Sequence, residues 1–299
     1  MTPLRCRSGV SLIEILVVVS LLGIAGAVIG SAILDQQRFH RNASELLSAR
    51  QGVRDAMEVL SADIRGSSTE DTLRVVSDSA LELFAAIGAS VACRTISGNS
   101  IALAGESASG NALTSFLLVP DTGDLALFYR ESPDSSGGEW IRHRIAALTV
   151  RSGSRDCVAD GAEPGEGFVL TLQSPPAETV KRGAPVRFIR RGRYSLYRSS
   201  DSQWNLGYRR CNALGAPACG AVQPVSGPYR RYTSDNTETG FLLEYFNAEG
   251  ERVAGVGSAL SITRVDVTAR AERAGNRRPG SPGISVPEIA TASIAIRNR

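Results

Sequence analysis

Ser8-Gly9-Val10-Ser11-Leu12-Ile13-Glu14-Ile15-Leu16-Val17 opens the stretch that decides how this chain is built. From Val10 to Leu34 the only ionisable residue is Glu14, and Arg5 and Arg7 stand just ahead. Those 25 residues, if helical, rise roughly 37 Å, enough to cross a bilayer with some tilt. The two arginines hold the short N-terminus on the cytoplasmic side, so everything after Leu34 is expected outside the cytoplasm. Glu14 is the anomaly. A charge at the centre of an inserted helix costs about 2.5–3.5 kcal/mol, and neither an export signal cut after Ala25-Gly26-Ala27 nor a plain anchor gains anything from it.

Beyond the membrane-length run the pattern changes without a proline break. Phe39, Ala43, Leu46, Val53, Met57, Leu60 and Ile64 recur at spacings of three and four, and Gly66-Ser67-Ser68 provides a stop, so an amphipathic helix is expected over 35–66. Its five arginines and five acids cancel, which argues against a nucleic-acid arm or a membrane-surface helix.

After Ser67 the helical period disappears, and β-prone runs alternate with glycine, proline, serine and aspartate. Strands are expected at Thr72–Val76, Leu81–Ala86, Ser100–Ala104, Ser115–Val119, Leu125–Arg130, Trp140–Val150, Gly167–Gln173, Val186–Arg198, Gly240–Phe246, Ser261–Arg270 and Ala290–Arg297. Ser132–Gly138 and Ala248–Gly250 read as hairpin turns, and Arg273–Pro287 as a mobile loop.

The length of 299 residues, with 42% apolar and 21% charged, is enough for one large core or two modest ones and excludes wholesale disorder. Two histidines, His40 and His143, leave little material for a histidine-based metal centre or catalytic apparatus. Lys181 is the single lysine, so the positive charge is almost all arginine, as a base-composition bias would produce.

The opening segment resembles the processing motif of type IV pilins and type II secretion pseudopilins: a short basic leader ending in glycine, then a small hydroxyl residue, two aliphatics and a glutamate ahead of an apolar helix. The resemblance implies that a dedicated prepilin peptidase cuts after Gly9 and that the amine of Val10 is methylated. Val10 departs from the family's usual Phe or Met, and the proline of many major pilins is missing from this helix. Glu14 lies one helical turn from Val10, so ammonium and carboxylate, each costly in lipid, can neutralise one another. In the family that pairing joins neighbouring subunits, which makes Glu14 the assembly residue. Two further stretches, Val186 to Leu206 and Phe241 to Gly250 with Ile262–Val267 and Ile294–Asn298, loosely resemble the J-type pseudopilins and W-type minor pilins.

The expected architecture is therefore α+β and pilin-like: a cleaved leader at 1–9, a transmembrane half-helix at 10–34, an amphipathic half at 35–66 and a periplasmic β-rich head at 67–299. With Cys6 removed in the leader, Cys93, Cys157, Cys211 and Cys219 remain for an oxidising compartment, and allow three pairings. The short turn-like loop between Cys211 and Cys219 favours joining those two, and Cys93 to Cys157. No C-x-x-C or nearby histidine supports zinc. Asp121 and Asp124, or Asp156, Asp160, Glu163 and Glu166, place oxygens in glycine-containing loops but match no calcium-loop pattern and read as solvated acidic turns. Arg187, Arg190, Arg191 and Arg193 with Tyr194 and Tyr197 form a basic, aromatic run, but strand alternation splits it between two faces, so nucleic acid is not an expected partner. His143, between Arg142 and Arg144, reads as a surface histidine.

The resemblance implies a minor pilin or pseudopilin without catalytic residues, cofactor or metal, anchored in the inner membrane by its helix and priming or tipping a filament. Its implied partners are the prepilin peptidase, other minor and major pilins or pseudopilins, and the inner-membrane assembly platform. The alternatives are a membrane-anchored or exported β-domain enzyme, and a tip adhesin or DNA-binding module whose affinity depends on Arg190 and Arg191.

Overall fold

The computed structural model describes residues 11–67, 75–106, 111–131, 137–154, 157, 165–176, 180–212, 219–253, 261–271 and 288–296. The chain divides into two units, Met1–Arg50 with Arg273–Val286 and Gln51–Glu272 with Pro287–Arg299. One continuous helix, α1 (Leu12–Gly66, 55 residues), runs through both. In the first unit its large apolar side chains from Leu12 to Leu34 are exposed, over a length and composition sufficient to cross a membrane. Phe39, expected on the packing face, is 70% exposed.

The second unit takes the last turns of α1 because their apolar face is buried: Val53, Ala56, Leu60 and Ile64 are at most 4% exposed, at helical spacing. The helix stops where Ser67 turns back, its N–H and hydroxyl both donating to the carbonyl of Ile64.

The strands are β1 (Val75–Val76), β2 (Ala80–Ser97), β3 (Ser100–Ala104), β4 (Ser115–Phe116), β5 (Leu125–Glu131), β6 (Gly138–Ser154), β7 (Gly165–Leu172), β8 (Pro185–Arg198), β9 (Trp204–Arg210), β10 (Gln223–Tyr229), β11 (Phe241–Phe246), β12 (Arg264–Arg270) and β13 (Ile289–Ala295). All pairings between them are antiparallel. The α+β, pilin-like architecture expected from the sequence is the one found. Three differences stand out. β2 reaches to Ser97 rather than Ala86, and β9 and β10 are additional strands. The turn before Gly250 forms as expected, with Gly250 at φ 82° donating to Asn247. The proposed turn at Ser132–Gly138 and loop at Arg273–Pro287 fall largely outside the described residues, and Gly138 belongs to β6.

Two long strands close the main sheet on itself. β2 pairs with β8 through its first part and with β3 through its last, while β6 pairs with β5 and then with β7. Register shifts at Ala86/Gly88 and Ala92/Arg94 of β2 and at Ile145/Ala147 of β6 mark the corners. With β3 on β7 and β5 on β8, the circuit β2-β3-β7-β6-β5-β8 is a six-stranded barrel. Its interior is filled by Ile101, Leu103, Phe128, Ile145, Leu170 and Phe188, among others, each at most 4% exposed. Phe116 packs edge-on against Phe168 and Phe188.

β8 also carries the sheet beyond the barrel through β9 to β10, and the helix docks on that extension. Gly52 has no room for a side chain: a Cβ there would sit 2.9 Å from the carbonyl oxygen of Gly227 in β10. Beside it the hydroxyl of Tyr229 donates to the Gly52 carbonyl at 2.9 Å. The small sheet β11-β12-β13 joins this end through Leu243, whose N–H donates to Asp78, and Tyr245, whose hydroxyl donates to Ser77.

Alanine is the better helix former by about 1 kcal/mol. Gly52→Ala should nevertheless lower the unfolding temperature of the detergent-solubilised protein, because the added methyl meets β10 backbone. A melt unchanged or raised would show that helix and strand can separate at little cost.

Candidate functional site

Gly9 and Val10, the expected processing pair, lie outside the described residues. Glu14 stands in the first turn of α1 and is exposed. The carbonyl of Ser11 accepts from the N–H of both Glu14 and Ile15, so Ser11 begins the helix and Glu14 occupies its third position. Ser11-Leu12-Ile13-Glu14 is thus a capping-box sequence, and the carboxylate lies at the positive end of the helix dipole. This local role adds to any role in assembly.

At the other end of α1, Asp63 is set among the sheet residues. The hydroxyl of Tyr194 in β8 donates to its carboxylate at 2.5 Å, and Tyr208 of β9 tilts against Tyr194 with ring centroids 5.1 Å apart. Burial raises the pKa of Asp63 above the usual carboxylate range, only partly offset by the Tyr194 hydrogen bond. Burial, with the Asp63 charge beside it, also pushes the Tyr194 phenol far up. The sequence signal was available: Asp63 sits between the packing positions Leu60 and Ile64.

The arginine run of β8 is divided as alternation requires, and two of its members, Arg190 and Arg191, are not surface groups. Arg190 binds Asp124 through two bonds, Nε to Oδ1 at 3.0 Å and Nη2 to Oδ2 at 2.8 Å, and also donates to the carbonyl of Val119. Arg210 adds contacts to Asp124 at 3.1 Å and Asp121 at 3.2 Å and donates to the carbonyl of Thr122. Asp124, expected in a solvated turn, is fully buried, because two guanidiniums replace its hydration. Asp121 is exposed, and its pKa is lowered by the Thr122 backbone N–H and then by Arg210. Of the other acidic loop, Asp156, Asp160 and Glu163 lie outside the described residues.

On the opposite face Arg191 donates through Nε to Glu82 at 2.6 Å and through Nη1 to the carbonyl of Asn212. Both side chains of this pair are at most 6% exposed. Arg190 and Arg191 therefore hold the head together rather than offer charge to a partner. Sequence reading missed these pairs because their members are 66 and 109 residues apart. The signal was Glu82 itself, a lone acid in Leu81-Glu82-Leu83-Phe84.

Cys93 is bonded to Cys157 and Cys211 to Cys219, the favoured pairing of the three. The second bridge lies beside Glu82, but disulfide sulfurs have no thiolate to give a metal, so that trio is no metal site. His143, expected on the surface, is half-buried edge-on to Phe128, and burial lowers its pKa.

Compared with models of known families, with curated proteins and with solved structures, the chain matches none.

Two outcomes follow from the buried charges. A raised native pKa means that Asp63 contributes most favourably at low pH, and that this contribution is lost as pH rises through its folded value. Asp63→Asn, which keeps an acceptor for Tyr194, should match the parent near pH 3 and melt at the same or higher temperature at pH 7. A variant less stable only at pH 7 would show that the charge itself is stabilising. Arg191→Met should cost about 3–5 kcal/mol by leaving the Glu82 carboxylate buried and unpaired, and Glu82→Leu in the same chain should recover most of it. Equal loss in the single and double variants would contradict the pairing.

Proposed function

We propose that this chain is a minor pilin or pseudopilin, a structural subunit that primes or tips a filament of the type IV pilus or type II secretion kind. The observation that carries the reading is α1: an apolar, exposed stretch opened by Ser11 and Glu14, continuous with last turns whose apolar face is buried in a disulfide-bonded β-rich head. Capping alone would serve any helix, but a charge inside the membrane-length apolar run brings an exported enzyme or a plain anchored domain no further gain. The prepilin peptidase cuts after Gly9, Glu14 neutralises the Val10 ammonium of a neighbouring subunit, and the head faces the periplasm until the helix leaves the inner membrane for the filament. The partners are sibling minor subunits, the major subunit and the assembly platform, met chiefly along the helix. The filled barrel supports a scaffold role, since the closed circuit encloses a packed core.

Intact mass and N-terminal peptide mapping of protein recovered from membranes test the reading. The expected species begins at methylated Val10, and Glu14→Ala should leave processing intact while abolishing recovery of the subunit with sheared filaments. A chain beginning at Val28, or one retaining Met1, would overturn it.

A further inference from the structure

β13 pairs with β12 along its whole length without a break, from Ile289 opposite Arg270 to Ala295 opposite Arg264. Just beyond the two ends of that ladder, and in register with it, the N–H of Ala271 donates to Glu288 and the N–H of Ile296 donates to Thr263. Bonded pairs fall on every second residue, so the even members of β13 turn their backbone groups toward β12. The odd members, Ile289, Thr291, Ser293 and Ala295, turn theirs away. No described residue pairs with those outward groups. The side chains of the same four residues are exposed, and on the other face Ala290 and Ala292 are only half-buried.

Other strand edges of the head carry devices that discourage a second chain. β10, at the end of the main sheet, has Pro224 and Pro228, register shifts and the helix beside it. The first half of β6, paired only with β5, bears Glu139, Arg142 and Arg144. The outer side of β11 is occupied, with the N–H of Leu243 donating to Asp78 and the carbonyl of Tyr245 accepting from Val253. β13 has no proline, no charge and no bulge from Ile289 to Ala295.

We propose that this edge pairs with the same edge of a second copy of the chain, β13 against β13 in an antiparallel register centred on Ala292, which joins the two small sheets into one. That register alone sets all four outward residues against one another within the strand: Ile289 opposite Ala295 and Thr291 opposite Ser293, each twice about the two-fold axis. About eight backbone hydrogen bonds result, along a ladder of about 23 Å. The side chains are matched as well. The large Ile289, 51% exposed, meets the small Ala295, hydroxyl meets hydroxyl, and on the other face Ala292 meets its own counterpart with no bulk to hold the strands apart. An uncharged strand opposes no like charges when it pairs with itself, whereas choosing a foreign strand calls for pockets or charges that this edge does not offer. Because the outer side of β11 is occupied, the pairing closes at two copies rather than growing into a longer sheet. The inference rests on the small sheet alone and does not depend on processing or filament assembly.

Sedimentation velocity of the full chain in detergent, with the micelle's contribution subtracted, tests it. A monomer–dimer equilibrium is expected within about 1–100 μM, as suits a small interface. Thr291→Pro removes one outward N–H and no bond to β12, and Thr291→Lys with Ser293→Lys sets lysines opposite one another. Each should weaken dimerisation about tenfold or more while leaving the melting temperature at the parental value. In a chain whose leader thiol is removed by Cys6→Ser, Ala292→Cys should give a disulfide-linked dimer with a mild oxidant, since the two thiols meet at the axis. Ile289→Cys should not, since its two copies stand about 20 Å apart. A parent that is monomeric throughout, a dimer kept by both edge variants, or cross-linking by Ile289→Cys and not by Ala292→Cys would each overturn the proposal.

Discussion

The structure depends on burial of one face of the last turns of α1 against the extension of the main sheet. Val53, Leu60 and Ile64 each contribute roughly 1.5–3 kcal/mol by leaving water, which is the bulk of the attachment but carries no direction. Direction comes from two tyrosines. Tyr229 reaches the carbonyl of Gly52 and Tyr194 the carboxylate of Asp63, eleven residues or about 16 Å apart along the axis. Two fixed points on one helix leave it neither free to slide nor free to roll. The close approach at Gly52 and Gly227 adds a third constraint, because only a helix without a side chain there can sit so near the strand.

β8 is the strand through which that constraint reaches the rest of the head. Its even positions place Val186 and Phe188 inside the barrel, then Arg190 against Asp124, then Tyr194 toward the helix. Its odd positions place Arg187, Arg191 and Arg193 on the other face. One strand thus joins the barrel core, the helix attachment and the buried Arg191–Glu82 pair. Among the described residues the closed circuit of strands encloses a core packed by its own side chains.

The helix and most strands were legible because periodicity survives in them. Gly66 ended α1 as expected, and alternation placed β3, β5, β8 and β11 within a residue or two. β9 and β10 were not legible, and the reason is local: Gly207, Pro224 and the Gly227-Pro228 pair interrupt the pattern that marks a strand. An edge strand tolerates proline because one side of its ladder is unpaired, and β10 pairs with β9 alone in the main sheet. β2 was read too short because Gly88, where the register shifts, breaks the run, and the segment beyond it carries few large side chains. Alternation also told correctly that the arginines of β8 divide between faces. It gave no hint of their partners, since Asp124 and Glu82 come from strands or loops that only the closed sheet brings near.

The near-exclusive use of arginine, whatever its origin in base composition, has a structural consequence that lysine could not reproduce. Arg190, Arg191 and Arg210 each bind a carboxylate through two nitrogens or one and also donate to a backbone carbonyl, of Val119, Asn212 and Thr122 respectively. Each guanidinium therefore fastens a loop to the sheet as well as neutralising an acid. An ammonium presents its charge at a single point and could not hold both partners in fixed directions. The loop after β4 shows what this accomplishes. Leu117, Leu118 and Val119 are exposed, at 81%, 53% and 67%, and would otherwise have little to hold them. The backbone is nonetheless pinned at both ends, by the carbonyl of Ile87 accepting from Leu117 and Leu118, and by Arg190 at Val119. What holds this part of the head is directed hydrogen bonds, two from backbone N–H groups and one from Arg190, rather than apolar burial.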